Sequence, residues 1–271
     1  MNQPLVLVGC GKMGGAMLSG WIDAGFLDHG ILVVEPNKDA IKGFLDQPEI
    51  GMLSSVDEIS EDVSPSVIIL AVKPQVMDDA VSKLGNFVGR DTVFLSVAAG
   101  KSLEYFERKL GRNAAIVRAM PNTPAAVGRG ITTYVANHMV SKEQAKLCGN
   151  LLSSVGEAVA IDQEELLDPI TAVSGSGPAY VFLLIEVMAA AGVKAGLPEE
   201  LSMRLARETV SGAGELARLS EESASQLRTN VTSPGGTTAA ALEILMSLDG
   251  IQPVFDRAID AASKRSRELA G

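Results

Sequence analysis

Leu5-Val6-Leu7-Val8-Gly9-Cys10-Gly11-Lys12-Met13-Gly14 is the stretch that decides the fold of this chain. Four apolar residues in a row predict a strand covered on both faces, since a strand with one wet face would alternate. The next six fit G-x-G-x-x-G. Behind them Met13, Ala16, Met17, Gly20, Trp21 and Ala24 recur at helical spacing, and Gly25 is placed to stop the helix. In such a strand–turn–helix the first glycine allows a tight turn and the second lets a pyrophosphate approach the backbone. The third lets helix pack closely on strand. Gly9, Gly11, Lys12, Met13 and Gly14 are therefore candidate dinucleotide contacts. A glycine turn that serves some other ligand would look the same in isolation, so the surroundings decide.

The surroundings alternate. Ile31 to Val34, Val67 to Val72, Thr92 to Val97, Ala115 to Val117, Ile131 to Val135 and Glu157 to Ile161 read as further strands. Helical segments lie between them, and Ser141 with Gln144 has the spacing of a capping box. This pattern predicts a doubly wound α/β domain of Rossmann type over residues 1–162. After Ile161 the strand signal fades. Leu166 to Val173, Pro178 to Ala195, Pro198 to Leu219, Ala239 to Leu248 and Gln252 to Ala270 read as helices, giving an all-helical domain over 163–271. A helical segment this thin and apolar is expected to bury a face against a second subunit. The most apolar run, Ala179 to Val193, carries Glu186 and reads as a buried helix rather than a membrane span.

Bulk composition narrows the partners. The 271 residues are 46% hydrophobic but only 4% aromatic, so the core must be built from aliphatic residues. A net charge of -10 argues against nucleic acid or an anionic membrane as the main partner, while backbone amides can still bind phosphate locally. Two cysteines form no disulfide framework, and Met1-Asn2-Gln3-Pro4 lacks the basic region of a signal peptide. A cytoplasmic protein is expected.

Ligands of open α/β sheets sit beyond the carboxyl ends of the strands. Glu35 closes the second strand, where a carboxylate would accept the hydroxyls of an adenosine ribose and repel a 2′-phosphate, favouring NADH. Asn37 follows, and Lys38 is the nearby cation that could receive that phosphate, so both coenzymes stay open. Ala71, Val72, Lys73 and Pro74 end the third strand. There Lys73 could neutralise phosphate or cap a helix. Ala98, Ala99 and Gly100 would let a flat ring lie against backbone, and Asn122 offers a two-sided amide. Ser176 and Gly177, ahead of Pro178, form either a helix corner or a bare floor beneath cofactor and substrate.

A second glycine turn, Val231-Thr232-Ser233-Pro234-Gly235-Gly236-Thr237-Thr238, feeds a helix start. It reads either as an ordinary turn and cap or as a small-carboxylate cradle, with N–H groups at the positive end of a helix. Other chemistries find little support. The two histidines, His29 and His138, have no metal-ligand spacing, so no metal is expected, and no nucleophile elbow or Walker loop occurs.

Together, Ala71-Val72-Lys73-Pro74-Gln75, Arg118-Ala119-Met120-Pro121-Asn122-Thr123-Pro124, Ser174-Gly175-Ser176-Gly177-Pro178-Ala179-Tyr180 and Asn230 through Thr238 resemble the pyrroline-5-carboxylate reductase family. The resemblance covers nearly the whole chain. It implies NADPH- or NADH-dependent reduction of L-1-pyrroline-5-carboxylate to L-proline, the last step of proline synthesis. It also implies a homodimer through the helical domain, with assembly to a decamer, a pentamer of dimers. By the same resemblance Glu221, Val231, Ser233, Gly235, Gly236, Thr237 and Thr238 bind substrate, with the Thr238 hydroxyl near the ring nitrogen as proton donor. Glu221 reads equally well as a solvated loop carboxylate. Glu35 departs from the family, many of whose members carry a neutral or basic residue near there. A 3-hydroxyacid dehydrogenase shares Gly175-Ser176-Gly177 but needs a lysine one turn later, where this chain has Tyr180 to Leu184. A nucleotide sensor without turnover is the non-enzymatic alternative.

Overall fold

The computed structural model describes residues 3–89 and 91–270. Eight strands form one sheet: β1 (Leu5–Val8), β2 (Ile31–Val34), β3 (Ile50–Leu53), β4 (Val67–Leu70), β5 (Val93–Ser96), β6 (Ala115–Met120), β7 (Gly130–Ala136) and β8 (Gly156–Ala160). Their spatial order is β3-β2-β1-β4-β5-β6-β7-β8, parallel throughout except for the antiparallel β6–β7 pair. The order reverses at β1, which pairs with β2 on one side and β4 on the other. A crevice beyond β1 is where such a sheet takes its ligand.

The helices of this unit are α1 (Lys12–Asp23), α2 (Lys38–Ile41), α3 (Met77–Ser82), α4 (Leu103–Leu110), α5 (Lys142–Ser153) and α6 (Leu167–Ile170). The sheet is covered on both faces, which is why β1 and β4 are apolar at every position and wholly buried. Leu5 and Leu7 join Met17, Trp21 and Leu151 in one core, while Val6 and Val8 join Met77, Phe94 and Phe106 in the other. Trp21 on α1 is fully buried and donates from Nε1 to the Leu151 carbonyl at 2.9 Å, tying α1 to α5. The Ser141–Gln144 capping box forms as its spacing predicts, and Gly25 follows α1 with a left-handed φ of 78°.

Sequence reading missed β3. Its four residues, Ile-Gly-Met-Leu, are short and glycine-broken. Leu32 of β2 lies across Gly51, where a Cβ would come within 2.7 Å of the end of the Leu32 side chain.

By compactness the chain divides into two units, one running to Gly175 and resuming at Ala262, the other Ser176–Ala261. Residues 163–175 stay with the sheet because side-chain bonds hold them there. Arg118 pairs with Glu164 at 2.6 Å, and Asn122 reaches the Ser174 carbonyl at 3.2 Å.

The second unit comprises α7 (Gly177–Lys194), α8 (Glu199–Leu219), α9 (Ala224–Asn230), α10 (Thr237–Leu245) and the start of α11 (Ile251–Ala270). In it α7 packs on α8. A Cβ at Gly192 would run into Ser202, whose hydroxyl donates to the Ala189 carbonyl at 2.7 Å. Helix α9 was also missed, although Ser223 caps it with the S-x-x-Q spacing.

Residues 179–193 do form a helix, but the single chain does not bury it as the sequence suggests. Only Ala189 of α7 is buried, and Phe182, Leu183 and Val187 stay more than half exposed. The other helices of this unit leave these side chains uncovered. By length and composition alone the run Glu164–Lys194, whose most apolar 18-residue window has a mean hydropathy of 1.6, could also cross a bilayer.

Candidate active site

The crevice beyond β1 is real: a cleft of about 550 Å³ opens there, lined by Gly9, Gly11, Glu35, Asn37, Ala71, Val72 and Lys73 among others. These seven candidates come from three strand ends, and the sheet topology brings them together. Gly9 has φ +97°, and a Cβ on it would lie 2.8 Å from Val72 Cγ1 and 2.9 Å from the Ala71 carbonyl carbon. A Cβ at Gly14 would run into the Gly9 carbonyl. Both positions exclude any side chain, while a Cβ at Gly11 would meet open space. Gly11 is the N-cap of α1 and brings no side chain to that helix start, so the first N–H groups of α1 are left for a ligand. This geometry fits a dinucleotide pyrophosphate.

Lys12 begins α1, Met13 packs against the core, and Pro74 opens a short 3-10 turn after Lys73. Lys38 is exposed at the start of α2 and does not line the cleft. Ala98 is buried, Ala99 exposed, and Gly100 adopts φ +73° against the Leu269 carbonyl. Sequence reading missed Ser54, Ser55, Val56, Asp79 and Lys83 in the lining. The first three follow β3, so missing that strand hid them.

Glu35 is anchored across this turn. Its Oε2 accepts the Cys10 N–H at 2.8 Å and its Oε1 accepts the Asn37 N–H at 2.9 Å. Burial, and after it the Glu35 charge, pushes the Cys10 thiol up to about 11. A thiol held that high is a spacer, not a nucleophile. Lys83 is engaged by Asp57 at 3.0 Å and Asp79 at 3.5 Å.

Asn122 does not offer a free amide. Its Oδ1 accepts the Ile131 N–H at 2.9 Å and its Nδ2 donates to Ser174 O at 3.2 Å. That carbonyl belongs to a π-helical turn, Thr171–Gly175, and such turns recur at functional sites. Asn122 thus fixes the backbone that leads to Ser176, the N-cap of α7, and Gly177, its first residue.

In the helical unit, α10 begins at the second glycine turn. Gly235 has φ +69°, and Gly236 is an N-cap without a side-chain bond. The Gly236 N–H donates to the Ser233 carbonyl at 3.0 Å and is spent within the turn. Thr237 and Thr238, as the first two helical residues, carry N–H groups that no preceding carbonyl in the helix can reach. The Thr232 hydroxyl donates to Arg228 O, and Asn230 bridges Gln226 and Glu222. These bonds pin the approach to the turn, leaving Val231, Ser233 and Glu221 exposed. Among the described residues, no group of three or more His, Cys, Asp or Glu could hold a metal ion.

Residues 164–269 match the family described as pyrroline-5-carboxylate reductase dimerisation, and residues 4–100 match NADP oxidoreductase, coenzyme F420-dependent. A pyrroline-5-carboxylate reductase from Synechocystis sp. is 40% identical over 270 residues, 99% of each chain. The chain belongs to the pyrroline-5-carboxylate reductase family. A solved member of that family from Coxiella burnetii superimposes with a TM-score of 0.91 at 33% identity, covering all of both chains. A Plasmodium falciparum member, solved with NADP bound, gives 0.81 at 30% identity over 100% of this chain and 99% of its own. Prephenate dehydrogenase from Aquifex aeolicus, at 19% identity and a TM-score of 0.54, shares the fold alone.

Proposed function

We propose that this chain reduces the cyclic imine L-1-pyrroline-5-carboxylate to L-proline with a hydride from NADPH or NADH, as the last step of proline biosynthesis. The observation that carries the reading is the turn at Gly9 and Gly14. It excludes any Cβ, faces the cleft at the strand-order reversal, and sits in a chain that matches named reductases of this substrate from end to end. Bound NAD(P)H supplies the hydride.

The chain's own task is to orient and to place charge. The Thr237 and Thr238 N–H groups and the Ser233 hydroxyl hold the ring carboxylate at the start of α10, with Gly235 and Gly236 shaping the turn. Glu221 and Val231 complete the substrate contacts. The imine carbon accepts the hydride, the C=N π pair becomes the nitrogen lone pair, and that nitrogen holds or gains one proton. The Thr238 hydroxyl is its hydrogen-bond partner and donor. A strong acid is not required, and catalysis rests mainly on positioning and electrostatics.

Residues 1–162 are assigned to the coenzyme, and 163–271 to substrate and dimerisation. The exposed apolar side chains of α7 suit a homodimer built through the helical domain, and we assign further assembly as a decamer, a pentamer of dimers. A net charge of -10 argues against nucleic acid or an anionic membrane as a partner, and we assign the enzyme to the cytoplasm. The test is coenzyme oxidation on adding pyrroline-5-carboxylate, with NADPH and NADH side by side and proline quantified. Matching coenzyme loss and proline gain is expected. Tight coenzyme binding without oxidation would reveal a nucleotide sensor instead, and turnover of hydroxyacids with NAD would reveal a dehydrogenase.

A further inference from the structure

One of the two families this chain matches is described by NADP, and the Plasmodium falciparum member was solved with it, yet the ribose end of this cleft carries a carboxylate. We propose that Glu35 makes this enzyme prefer NADH over NADPH, by occupying the place where a 2′-phosphate would have to sit. The proposal rests on the reading of the cleft as a dinucleotide site.

Four observations support it. Glu35 closes β2, the strand beside β1 on the side away from β4, and lines the cleft together with Gly9 and Gly11. Its carboxylate is held in place by the Cys10 and Asn37 N–H groups, one to each oxygen. A carboxylate has about four acceptor sites, so about two remain for the two hydroxyls of an adenosine ribose. The carboxylate's charge is felt at the turn, since it helps raise the neighbouring Cys10 thiol.

The cations that could offset a phosphate are elsewhere or engaged. Lys38 is exposed and does not line the cleft. Lys83 lines it but is paired with Asp57 and Asp79, and Asp79 adds a second negative group to the wall. Lys73 follows β4, two strand positions from β2, or about 10 Å at the usual strand spacing of about 4.8 Å. It lines the cleft on the β4 side of β1, across from Glu35. The Ser55 hydroxyl, which could otherwise donate to a phosphate, donates to Asp57 Oδ2 at 3.0 Å.

The experiment measures Kd for NADH and for NADPH by calorimetric titration, beside kcat/KM for each with pyrroline-5-carboxylate. The wild-type chain is expected to bind NADH at least about tenfold more tightly, since like charges brought face to face cost more than one decade in affinity. Glu35→Gln keeps an acceptor oxygen for one of the two backbone amides and removes the charge. It is expected to narrow the ratio by about tenfold, mainly through tighter NADPH binding. Emission from Trp21 checks that the variant is folded, and if it is not, the wild-type ratio alone decides. Equal or tighter binding of NADPH by the wild type, or an unchanged ratio in a folded Glu35→Gln, overturns the proposal. Binding of neither coenzyme removes the dinucleotide reading itself and this proposal with it.

Discussion

Two adjacent glycines in α1 should respond to the same substitution in opposite directions. Gly14 and Gly15 both lie within Lys12–Asp23, so replacing either with alanine gains up to about 1 kcal/mol of helix propensity. What differs is the space above each. A Cβ at Gly14 would enter the Gly9 carbonyl and come 3.3 Å from Ala71 Cβ, and the carbonyl is backbone in the turn itself, which cannot swing aside. Overpacking of that kind costs about 1–3 kcal/mol or more, so Gly14→Ala should lose about 1–2 kcal/mol net. A Cβ at Gly15 would lie 3.8 Å from the Cys10 carbonyl oxygen, an ordinary contact, and Gly15→Ala should be neutral or gain up to about 1 kcal/mol. The chain has one tryptophan, Trp21, fully buried on this same helix, so its fluorescence reports unfolding of this unit. With a urea slope of about 2 kcal/mol per molar, the midpoint should fall by about 0.5–1 M in Gly14→Ala and stay or rise in Gly15→Ala. Coenzyme affinity should fall in Gly14→Ala, because the clash displaces the amides that face the pyrophosphate. Equal midpoints, or greater damage from Gly15→Ala, would refute the steric account of the cradle.

Thr238→Ala should lower kcat by about 10- to 100-fold without moving the unfolding midpoint, the range of a positioned proton donor or somewhat below it. Unchanged steady-state kinetics would remove Thr238 from the chemistry. Glu164→Gln leaves the buried Arg118 guanidinium without its counter-charge, while the amide oxygen can still accept the Leu103 N–H. A loss of about 1–3 kcal/mol is expected, less than for a fully enclosed pair because Glu164 is 25% exposed, and adding Arg118→Met should recover most of it. A harmless single variant, or a double variant no better than the single, would count against a buried pair. Burial holds the Cys148 thiol near 12 in the folded chain, up from 9.0. Its contribution to stability is therefore complete below about pH 9 and is lost as pH rises toward 12, where the unfolded chain releases the proton first. Urea midpoints should fall over that window, and iodoacetamide should label Cys148 only above the midpoint. Labelling of the native protein would contradict the burial.

Much of this was legible in the residues. Continuous apolar tetrads marked buried parallel strands because a doubly covered sheet leaves no wet face to force alternation. The glycine turn was legible because two of its three glycines are sterically obligatory. What escaped was local in signal but dependent on tertiary contacts. β3 is a strand because it pairs with β2, and nothing within Ile50–Leu53 announces that pairing. The cleft residues after β3 went unseen for the same reason. Asn122 was correctly singled out, yet its bonds to Ile131 and Ser174 span nine and 52 residues and cannot be read from composition. The Gly236 amide looked free in sequence, but the turn consumes it. The apolar helix α7 was legible as a helix, and the single chain leaves most of it exposed.

The central claim is a hydride delivered from a coenzyme to a ring imine, and isotope transfer tests it most directly. With NADH carrying deuterium at both positions of the reactive nicotinamide carbon, turnover of pyrroline-5-carboxylate should give proline bearing one deuterium on the ring carbon next to nitrogen and remote from the carboxylate. Proline formed without the label, or coenzyme consumed without proline, would contradict it.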